Sequence, residues 1–366
     1  MPPENEDFLS QQLITYLGNK RSLFPFIGNA LEKVKKRLGK EKLKIFDAFS
    51  GSGAAARFFK SHAELLVAND LEAYSGTINR CYLANKNEVP LKELREIHSF
   101  LLHRLTKEPL RKGFITELYA PENESRIKAG ERVFYTPRNA MFIDTARQYI
   151  EEIDPGLRHF FIAPLLSESS IHANTAGVFK GFYKDRQTGT GCYGGSGGNA
   201  LSRIKGDIDL HFPVWSNFSC PFEVYRQDVN ELVSGLPEFD LSYFDPPYNQ
   251  HPYGSNYFML NLILSYKRPE SISAVSGIPA DWNRSAYNKR HEAALAFGKL
   301  IRDIRSKFVL VSFNSEGFIS SSEMQSMLEK TGKLDLFETP YNTYRGSRNL
   351  RDRQTYVKEY LFLVEK

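Results

Sequence analysis

The tetrapeptide Asp245-Pro246-Pro247-Tyr248 is the part of the sequence best suited to chemistry. Two consecutive prolines fix the backbone φ angles and remove two amide donors, so the backbone there can only accept hydrogen bonds. The Asp245 carboxylate and a proline carbonyl could therefore hold both hydrogens of an exocyclic amino group. With its nitrogen held tetrahedral, that group could direct its lone pair at an electrophile, and Tyr248 could stack on an extruded nucleobase. For four residues taken alone, a rigid turn without function is the alternative.

A second candidate site is the glycine turn at Ser50-Gly51-Ser52-Gly53. The apolar run from Leu43 to Phe49 predicts a strand before it, and Ala54 to Lys60 predicts a helix after it. Glu64 to Asn69 predicts a second strand, which ends in Asp70. Strand, glycine turn, helix, strand and acid is the order of a nucleotide-binding α/β half. The turn lacks the GxGxxG pattern, which disfavours a dinucleotide.

Further elements of the same kind must position these candidates. Leu23 to Leu38, followed by Gly39, predicts a helix, and Leu71 to Lys86 predicts another. The later part of the chain alternates strands and helices again and ends in an antiparallel pair with a basic connection from Tyr344 to Arg353. The predicted strands there are Phe222 to Gln227, Phe239 to Phe244, Lys307 to Phe313, Lys333 to Glu338 and Tyr356 to Val364, and the predicted helices are Asp228 to Leu232 and Ser320 to Lys330.

The middle of the chain differs from this pattern. Pro90 to Ser170 is mostly helical in pattern, and we interpret it as an insertion. Gly177 to Gly206 contains nine of the 25 glycines together with basic and aromatic side chains. This composition predicts a mobile loop that contributes little to the core, and a flexible loop without function is the alternative.

The composition is that of a globular protein. Of 366 residues, 41% are hydrophobic and 25% are charged, which argues against disorder along most of the chain, and the net charge of +5 favours an anionic partner. The apolar runs are too short to span a bilayer and Met1 to Ser10 is unlike a signal peptide, so we expect a cytoplasmic protein without membrane contact. Cys81, Cys192 and Cys220 fit neither a disulfide framework nor a zinc site, and the histidine spacing suggests no metal.

Several of these motifs occur together in one known family. They are Tyr16-Leu17-Gly18-Asn19-Lys20, Asp47-Ala48-Phe49-Ser50-Gly51-Ser52-Gly53, Asp70, Asp228, Asp245-Pro246-Pro247-Tyr248 and Tyr344-Arg345-Gly346-Ser347-Arg348-Asn349. In this order they resemble the DNA adenine-N6 methyltransferases of the Dam-like D12 class, in the alpha group of amino-methyltransferases. The resemblance covers most of the chain and is weakest from about Pro90 to Ile171.

The resemblance implies an α/β fold. Its core would be a Rossmann-like, S-adenosylmethionine-dependent methyltransferase sheet with a terminal antiparallel hairpin, and a mostly helical target-recognition region would be inserted in it. The corresponding domains are residues 1–89 and 207–366 for catalysis and residues 90–206 for recognition, with the glycine-rich basic loop at 177–206.

The resemblance also implies roles in binding S-adenosylmethionine. Phe49, Gly51 and Gly53 correspond to the family's cofactor loop, where missing side chains let the cofactor approach the backbone. Asp70 matches an acid that accepts hydrogen bonds from the ribose hydroxyls. Asp228 matches an acid that accepts from the adenine amine. For both acids a helix N-cap is the alternative.

Four further residues complete the implied cofactor site together with Asp245. Tyr16 and Lys20 match the N-terminal cofactor motif, with Lys20 near the methionine carboxylate. Val229 would lie near the adenine ring, and Asp47 opens the glycine motif.

The implied reaction is site-specific transfer of a methyl group to adenine N6 in duplex DNA. It would proceed by base flipping and direct in-line transfer, with S-adenosylhomocysteine as the product. A cognate restriction endonuclease acting on the same site would be a natural partner in function, and no stable protein partner is implied. Candidate DNA-binding residues are Lys180, Lys184, Arg186, Arg203, Arg345 and Arg348, with Asn174, Arg351 and Arg353 as further candidates.

Two other functions remain open at this point. An RNA or other amine methyltransferase could use the same acceptor geometry, although those families more often begin the tetrapeptide with Asn. A non-catalytic module that binds DNA or cofactor is the alternative from a different class, and the intact tetrapeptide counts against it. Asp245 in place of a serine favours adenine N6 over cytosine N4.

Overall fold

The computed structural model describes residues 3–195, 198, 200–247, 250–315, 317–342 and 356–366. The strands are β1 Leu43–Asp47, β2 Ala63–Asn69, β3 Phe222–Tyr225, β4 Phe239–Phe244, β5 Ser306–Asn314, β6 Lys333–Asn342 and β7 Tyr356–Glu365. The helices are α1 Glu6–Ser10, α2 Phe24–Leu38, α3 Ala54–Lys60, α4 Ala73–Tyr82, α5 Leu91–Lys107, α6 Phe114–Tyr119, α7 Pro137–Glu151, α8 His159–Ile171, α9 Leu201–Lys205, α10 Val229–Leu232, α11 Tyr253–Asn256, α12 Phe258–Ser265, α13 Arg290–Asp303 and α14 Ser321–Glu329.

The strands form one mixed sheet in the order β3-β2-β1-β4-β5-β7-β6. The first five are parallel to one another, whereas β7 is antiparallel to both β5 and β6. The predicted α/β class is therefore confirmed. The carboxyl ends of β1, β2 and β4 lie side by side, so residues that follow these strands meet at one edge of the sheet.

Helices cover both faces of the sheet, which explains the almost continuously apolar strands. Successive side chains of a strand point to opposite faces. Ile45 of β1 packs with the apolar residues of α2 and α3, whereas its neighbour Phe46 packs with those of α10, α13 and α14. Both faces are thus fixed by alternation within short buried strands.

The helices α5 to α8 pack into a third apolar cluster, which also includes residues of α4 and α12. The predicted helical character of residues 90–170 is confirmed. Their core is continuous with helices that flank the sheet, and the domain boundary at residues 89 and 90 remains a prediction.

Most predicted elements agree with the structure to within a few residues, but three predictions were incomplete or wrong. The helix predicted from Leu71 to Lys86 is only Ala73–Tyr82, because the Asp70 carboxylate accepts a hydrogen bond from the Glu72 amide and holds a turn before the helix. The helices α12 and α13 were not predicted. The loop after residue 177 contributes more core than expected, since Phe179 and Ile204 are buried.

The antiparallel hairpin at the end of the chain is confirmed, with β6 and β7 paired from Lys333 opposite Glu365 to Asn342 opposite Tyr356. The basic connection between them lies outside the described residues. Among the described residues, no helix combines the length and the apolar character that crossing a membrane requires.

Substitution of two glycines can show how backbone conformation alone affects the free energy of unfolding, because an added methyl group makes no packing contact at either position. Gly39 ends α2 with a φ of 65°, and Gly298 lies within α13; a methyl group at either position would meet no atom within 4 Å. We expect Gly39→Ala to lower the free energy of unfolding by about 1 to 2 kcal/mol, since a left-handed conformation disfavours a side chain. Gly298→Ala should raise it by up to about 1 kcal/mol. Denaturant titration of both variants measures the difference, and equal signs would contradict this account.

Candidate active site

A cavity of about 900 Å³, including its open mouth, lies at the carboxyl edge of the sheet. The N-terminal segment, the glycine turn, the ends of β2 and β4 and the segment around residue 285 form its walls. The predicted site residues among those that line it are Tyr16, Lys20, Phe49, Gly51, Asp70, Asp228, Val229, Asp245 and Pro247. Lining residues that the sequence did not suggest include Glu72, Tyr253, Asn283, Tyr287 and Asn288.

The glycine turn is held tightly between β1 and α3. Gly51 has a φ of 50°, and a Cβ atom there would lie 2.7 Å from a ring carbon of Tyr16. The room left by the missing side chain is therefore filled by the Tyr16 ring, which stacks on Tyr253 and Tyr257 with centroids 5.0 and 4.8 Å away. Gly53 has a φ of 76°, at the N-cap of α3. Both glycines are needed for backbone conformation and close approach, whatever the cavity binds.

Asp70 joins the glycine turn to the end of β2. Its carboxylate accepts one hydrogen bond from the Gly51 amide and one from the Glu72 amide, each at 2.8 Å. The N-cap of α4 is Glu72, so the proposed alternative of a helix cap does not describe Asp70. Burial raises the pKa of Asp70 to about 6. Each oxygen retains a lone pair with which it can accept a further hydrogen bond.

Asp228 serves as the N-cap of α10, because its side chain accepts from the Asn230 amide at 2.9 Å. It also lines the cavity, so the cap and a ligand contact are compatible. Opposite it, Tyr287 packs edge-on against Phe49 with ring centroids 5.1 Å apart and donates a hydrogen bond to the Asn230 side chain. An acid and two aromatic rings thus share one end of the cavity.

The corner after β4 brings Asp245 next to the N-terminal segment. Lys20 Nζ lies 3.3 Å from Asp245 Oδ1 and 2.7 Å from Oε1 of Glu359, a residue of β7 that is 1% exposed. Pro246 is buried beneath the corner, and Pro247 lines the cavity. Burial raises the pKa of Asp245 to about 6, and the nearby Lys20 ammonium opposes this rise.

Glu359 was missed by the sequence analysis. The one available signal was an acid close to the apolar run Leu361 to Val364 of the last predicted strand. Lys20, which the resemblance places near a cofactor carboxylate, lies in this structure between two carboxylates of the protein.

Asp47 is fully buried at the end of β1, and among the described residues neither of its carboxylate oxygens has a hydrogen-bond partner of good geometry. Burial raises the pKa of Asp47 to about 8, an effect that the nearby Ser50 hydroxyl offsets in part. A buried carboxylate of this kind favours a positively charged or donating ligand.

The predicted DNA-binding residues have different surroundings. Lys180 and Arg186 are exposed, and the Lys184 ammonium lies over the Phe182 ring. Arg203 donates hydrogen bonds to the carbonyls of Ile171, Ala173 and Thr175, which tie the loop to the end of α8. These bonds occupy its guanidinium, so we do not include Arg203 in the proposed DNA surface.

Asn174 also faces the protein interior. It is fully buried, donates to the carbonyls of Val133 and Cys192 and accepts from the Gly194 amide. A base-reading role for Asn174 is therefore wrong, since no polar atom of its side chain faces solvent. Tyr248, Arg345, Arg348, Arg351 and Arg353 lie outside the described residues.

The fold and the site define an α/β enzyme whose carboxylate-lined cavity adjoins an Asp-Pro-Pro corner. A family model for the D12 class N6 adenine-specific DNA methyltransferases matches residues 16–327. The chain belongs to this family and transfers methyl groups to N6 of adenine in DNA.

Two curated relatives align over nearly their whole length. The chain is 30% identical over 365 residues to the type II methyltransferase M.NlaIII of Neisseria lactamica, an alignment that covers 96% of this chain and 99% of the relative. It is 28% identical over 359 residues to the type II methyltransferase M.CviAII of Paramecium bursaria Chlorella virus 1, covering 96% and 98%. A solved structure from Thermoplasma acidophilum matches 96% of this chain and 98% of its own with 10% identity and a TM-score of 0.33, a likeness too weak to support an argument.

The buried Asp47 carboxylate leads to a prediction about stability and pH. The pKa of Asp47 in the folded protein, about 8, lies above its ordinary value. Between about pH 4 and 8 the carboxyl therefore ionises more readily in the unfolded chain than in the fold, and stability falls as the pH rises. Asp47→Asn should therefore stabilise the ligand-free protein more at pH 8 than at pH 5, by at least about 1.4 kcal/mol, the equivalent of one pKa unit. Denaturant titration at the two pH values measures this. Asp209→Asn, at an exposed position, is the control, and an equal effect of both substitutions would refute the account.

Proposed function

We propose that this enzyme methylates adenine N6 at specific sites in duplex DNA, with S-adenosylmethionine as the methyl donor and S-adenosylhomocysteine as the product. The observation that supports this most directly is that Asp245 and Pro247 line the same cavity as Asp70 and Asp228. One edge of the sheet therefore offers acceptors for a nucleoside and acceptors for an amino group side by side.

The residues of the cavity fit S-adenosylmethionine. When bound, this molecule supplies an electrophilic methyl group on a positively charged sulfur. Asp70 would accept from the ribose hydroxyls and Asp228 from the adenine amine, while Val229 and Phe49 would contact the ring. The buried Asp47 carboxylate, which precedes the cavity-lining Ala48 and Phe49, would suit a cationic amino group nearby.

The corner after β4 would hold the target base. The Asp245 carboxylate and a proline carbonyl accept the two hydrogens of the amino group, so that its lone pair points away from the base plane. Positioning and electrostatic orientation would then supply most of the rate enhancement, without a covalent enzyme intermediate. The extra proton on the methylated nitrogen leaves to water or through Asp245. Tyr248 would stack on the base, which must be flipped out of the duplex to reach this corner.

The strand order supports a Rossmann-like arrangement of the catalytic part, with residues 1–89 and 207–366 around the sheet. Residues 90–206 would then be the inserted target-recognition region. Lys180, Lys184 and Arg186, which lie in its glycine-rich loop, would contact phosphates. The names of the relatives as type II methyltransferases support a restriction–modification role with an endonuclease that recognises the same sequence.

Substitution of Asp245 tests the assignment of the catalytic corner. Asp245→Ala should reduce single-turnover methyl transfer by about 10²- to 10³-fold or more, because the amino group loses a preorganised acceptor. Cofactor affinity, measured by calorimetry, should stay of the same order. Asp228→Ala should show the reverse pattern, with weaker cofactor binding as its first effect. An Asp245→Ala enzyme with near-normal turnover on duplex DNA would overturn the assignment, and parallel assays on RNA would identify the other acceptor class.

The proposed phosphate contacts predict the salt dependence of DNA binding. The combined substitution of Lys180, Lys184 and Arg186 by Ala should weaken binding of all duplex sequences alike. It should also reduce the slope of log affinity against log salt by up to about 0.9 for each phosphate that the variant no longer neutralises. Alanine substitutions of the exposed Lys92, Arg302 and Lys330 serve as a control with the same change in net charge. Equal slopes for both triple variants would contradict the proposal.

A further inference from the structure

We propose that Glu359 is a positioning residue that holds Lys20 back from Asp245 and so keeps the Asp245 carboxylate available for the amino group of the target base. Glu359 comes from β7, the strand that ends the chain, and meets a lysine from the N-terminal segment. The inference rests on the proposed catalytic role of Asp245.

The distances show how the Lys20 ammonium is shared. It lies 2.7 Å from Glu359 Oε1 and 3.3 Å from Asp245 Oδ1, so its shorter contact is with Glu359. The Ser312 hydroxyl of β5 donates to the same Glu359 oxygen at 2.9 Å. Because β5 and β7 are paired over seven residues, including Asn314 opposite Glu359, the carboxylate is held on a rigid part of the sheet.

Lys20 and Glu359 are both buried, so the loss of either charge would leave the other without that partner in the protein interior. Lys20 and Glu359 are 5% and 1% exposed, whereas the Asp245 side chain keeps 19% of its surface exposed towards the cavity. A buried ammonium needs a carboxylate partner, and without Glu359 its remaining partner of that kind within 4 Å, among the described residues, would be Asp245. A tight Lys20–Asp245 pair would occupy an oxygen of the carboxylate that the proposed reaction uses.

The charges of Lys20 and Glu359 should therefore shift the pKa of Asp245 in opposite directions. The Lys20 ammonium favours the ionised form of Asp245, and the Glu359 carboxylate disfavours it. Asp47 and Tyr243 also interact with Asp245, but neither contacts Lys20 through an ion pair within the described residues. Removing the Lys20 charge should raise the pKa of Asp245, and removing the Glu359 charge should lower it.

The test is the pH dependence of single-turnover methyl transfer at saturating S-adenosylmethionine and cognate duplex. Activity falls at acidic pH as Asp245 is protonated. Lys20→Met should move this acidic limb up by roughly 1 to 3 pH units, since an opposite charge is removed. Glu359→Gln should move it down and also reduce the plateau rate, because Lys20 closes on Asp245. Glu359→Asp, which keeps the charge, should leave the limb closer to that of the wild type.

Controls separate this role from a merely structural one. Glu365→Gln removes the same charge from the far end of β7, where Glu365 pairs with Arg37, and should leave the acidic limb in place. A limb that is unmoved in both Lys20→Met and Glu359→Gln, or moved in the same direction, would overturn the inference. Asp245→Asn is measured in parallel: if it retains normal turnover, the catalytic assignment fails, whereas an inactive Asp245→Asn with unmoved limbs refutes only the role of Glu359.

Discussion

Several carboxylates are buried together at one edge of the sheet, and most other features of the molecule follow from this constraint. Asp47 ends β1, Asp70 and Glu72 come after the neighbouring β2, and burial raises the pKa of each. Among the described residues that line the cavity, Lys20 is the only Lys, Arg or His. A fold with this imbalance is less stable by itself than one with an apolar edge, and a cationic ligand relieves the cost. The arrangement supports the proposal of a positively charged cofactor.

The ends of the chain complete this site from opposite directions. The N-terminal segment lies between the glycine turn and α11, where the Leu17 amide donates to the Tyr257 hydroxyl and the Tyr253 hydroxyl donates to the Leu17 carbonyl. These contacts place Tyr16 against Gly51 and bring Lys20 next to Asp245 at the corner after β4. The final strand then adds Glu359. Residues near both ends of the chain thus surround the cavity and its Asp245 corner, whereas the acids that line the cavity come after the central strands.

The inserted helices and the loop after them are held by a different set of polar contacts. Buried Asn174 and the guanidinium of Arg203 bind backbone carbonyls, which need partners once they are removed from water. These side chains fix where the loop leaves α8, whereas Lys180 and Arg186 lie on its exposed part. Polar residues of one loop thus divide into those that hold it in place and those that we propose contact DNA.

The strands, the glycine turn and the helices α2 to α4, and with them the α/β class, could be predicted from the amino-acid sequence, because short apolar runs, glycine turns and strand-end acids are local patterns. The cavity-lining segment between the Asp-Pro-Pro corner and β5 could not. The motifs of the family were legible in the sequence too. The folded chain was needed to see that Tyr16 fills the space above Gly51, that Arg203 and Asn174 face inward, and that Lys20 is shared by two carboxylates. Such contacts join residues far apart in the chain, and the hydrophobic periodicity of the sequence does not show which of these residues lie together. Local sequence patterns determine the helices and strands. The partner of a buried charge such as Lys20 is determined only when distant strands pack together in the folded sheet.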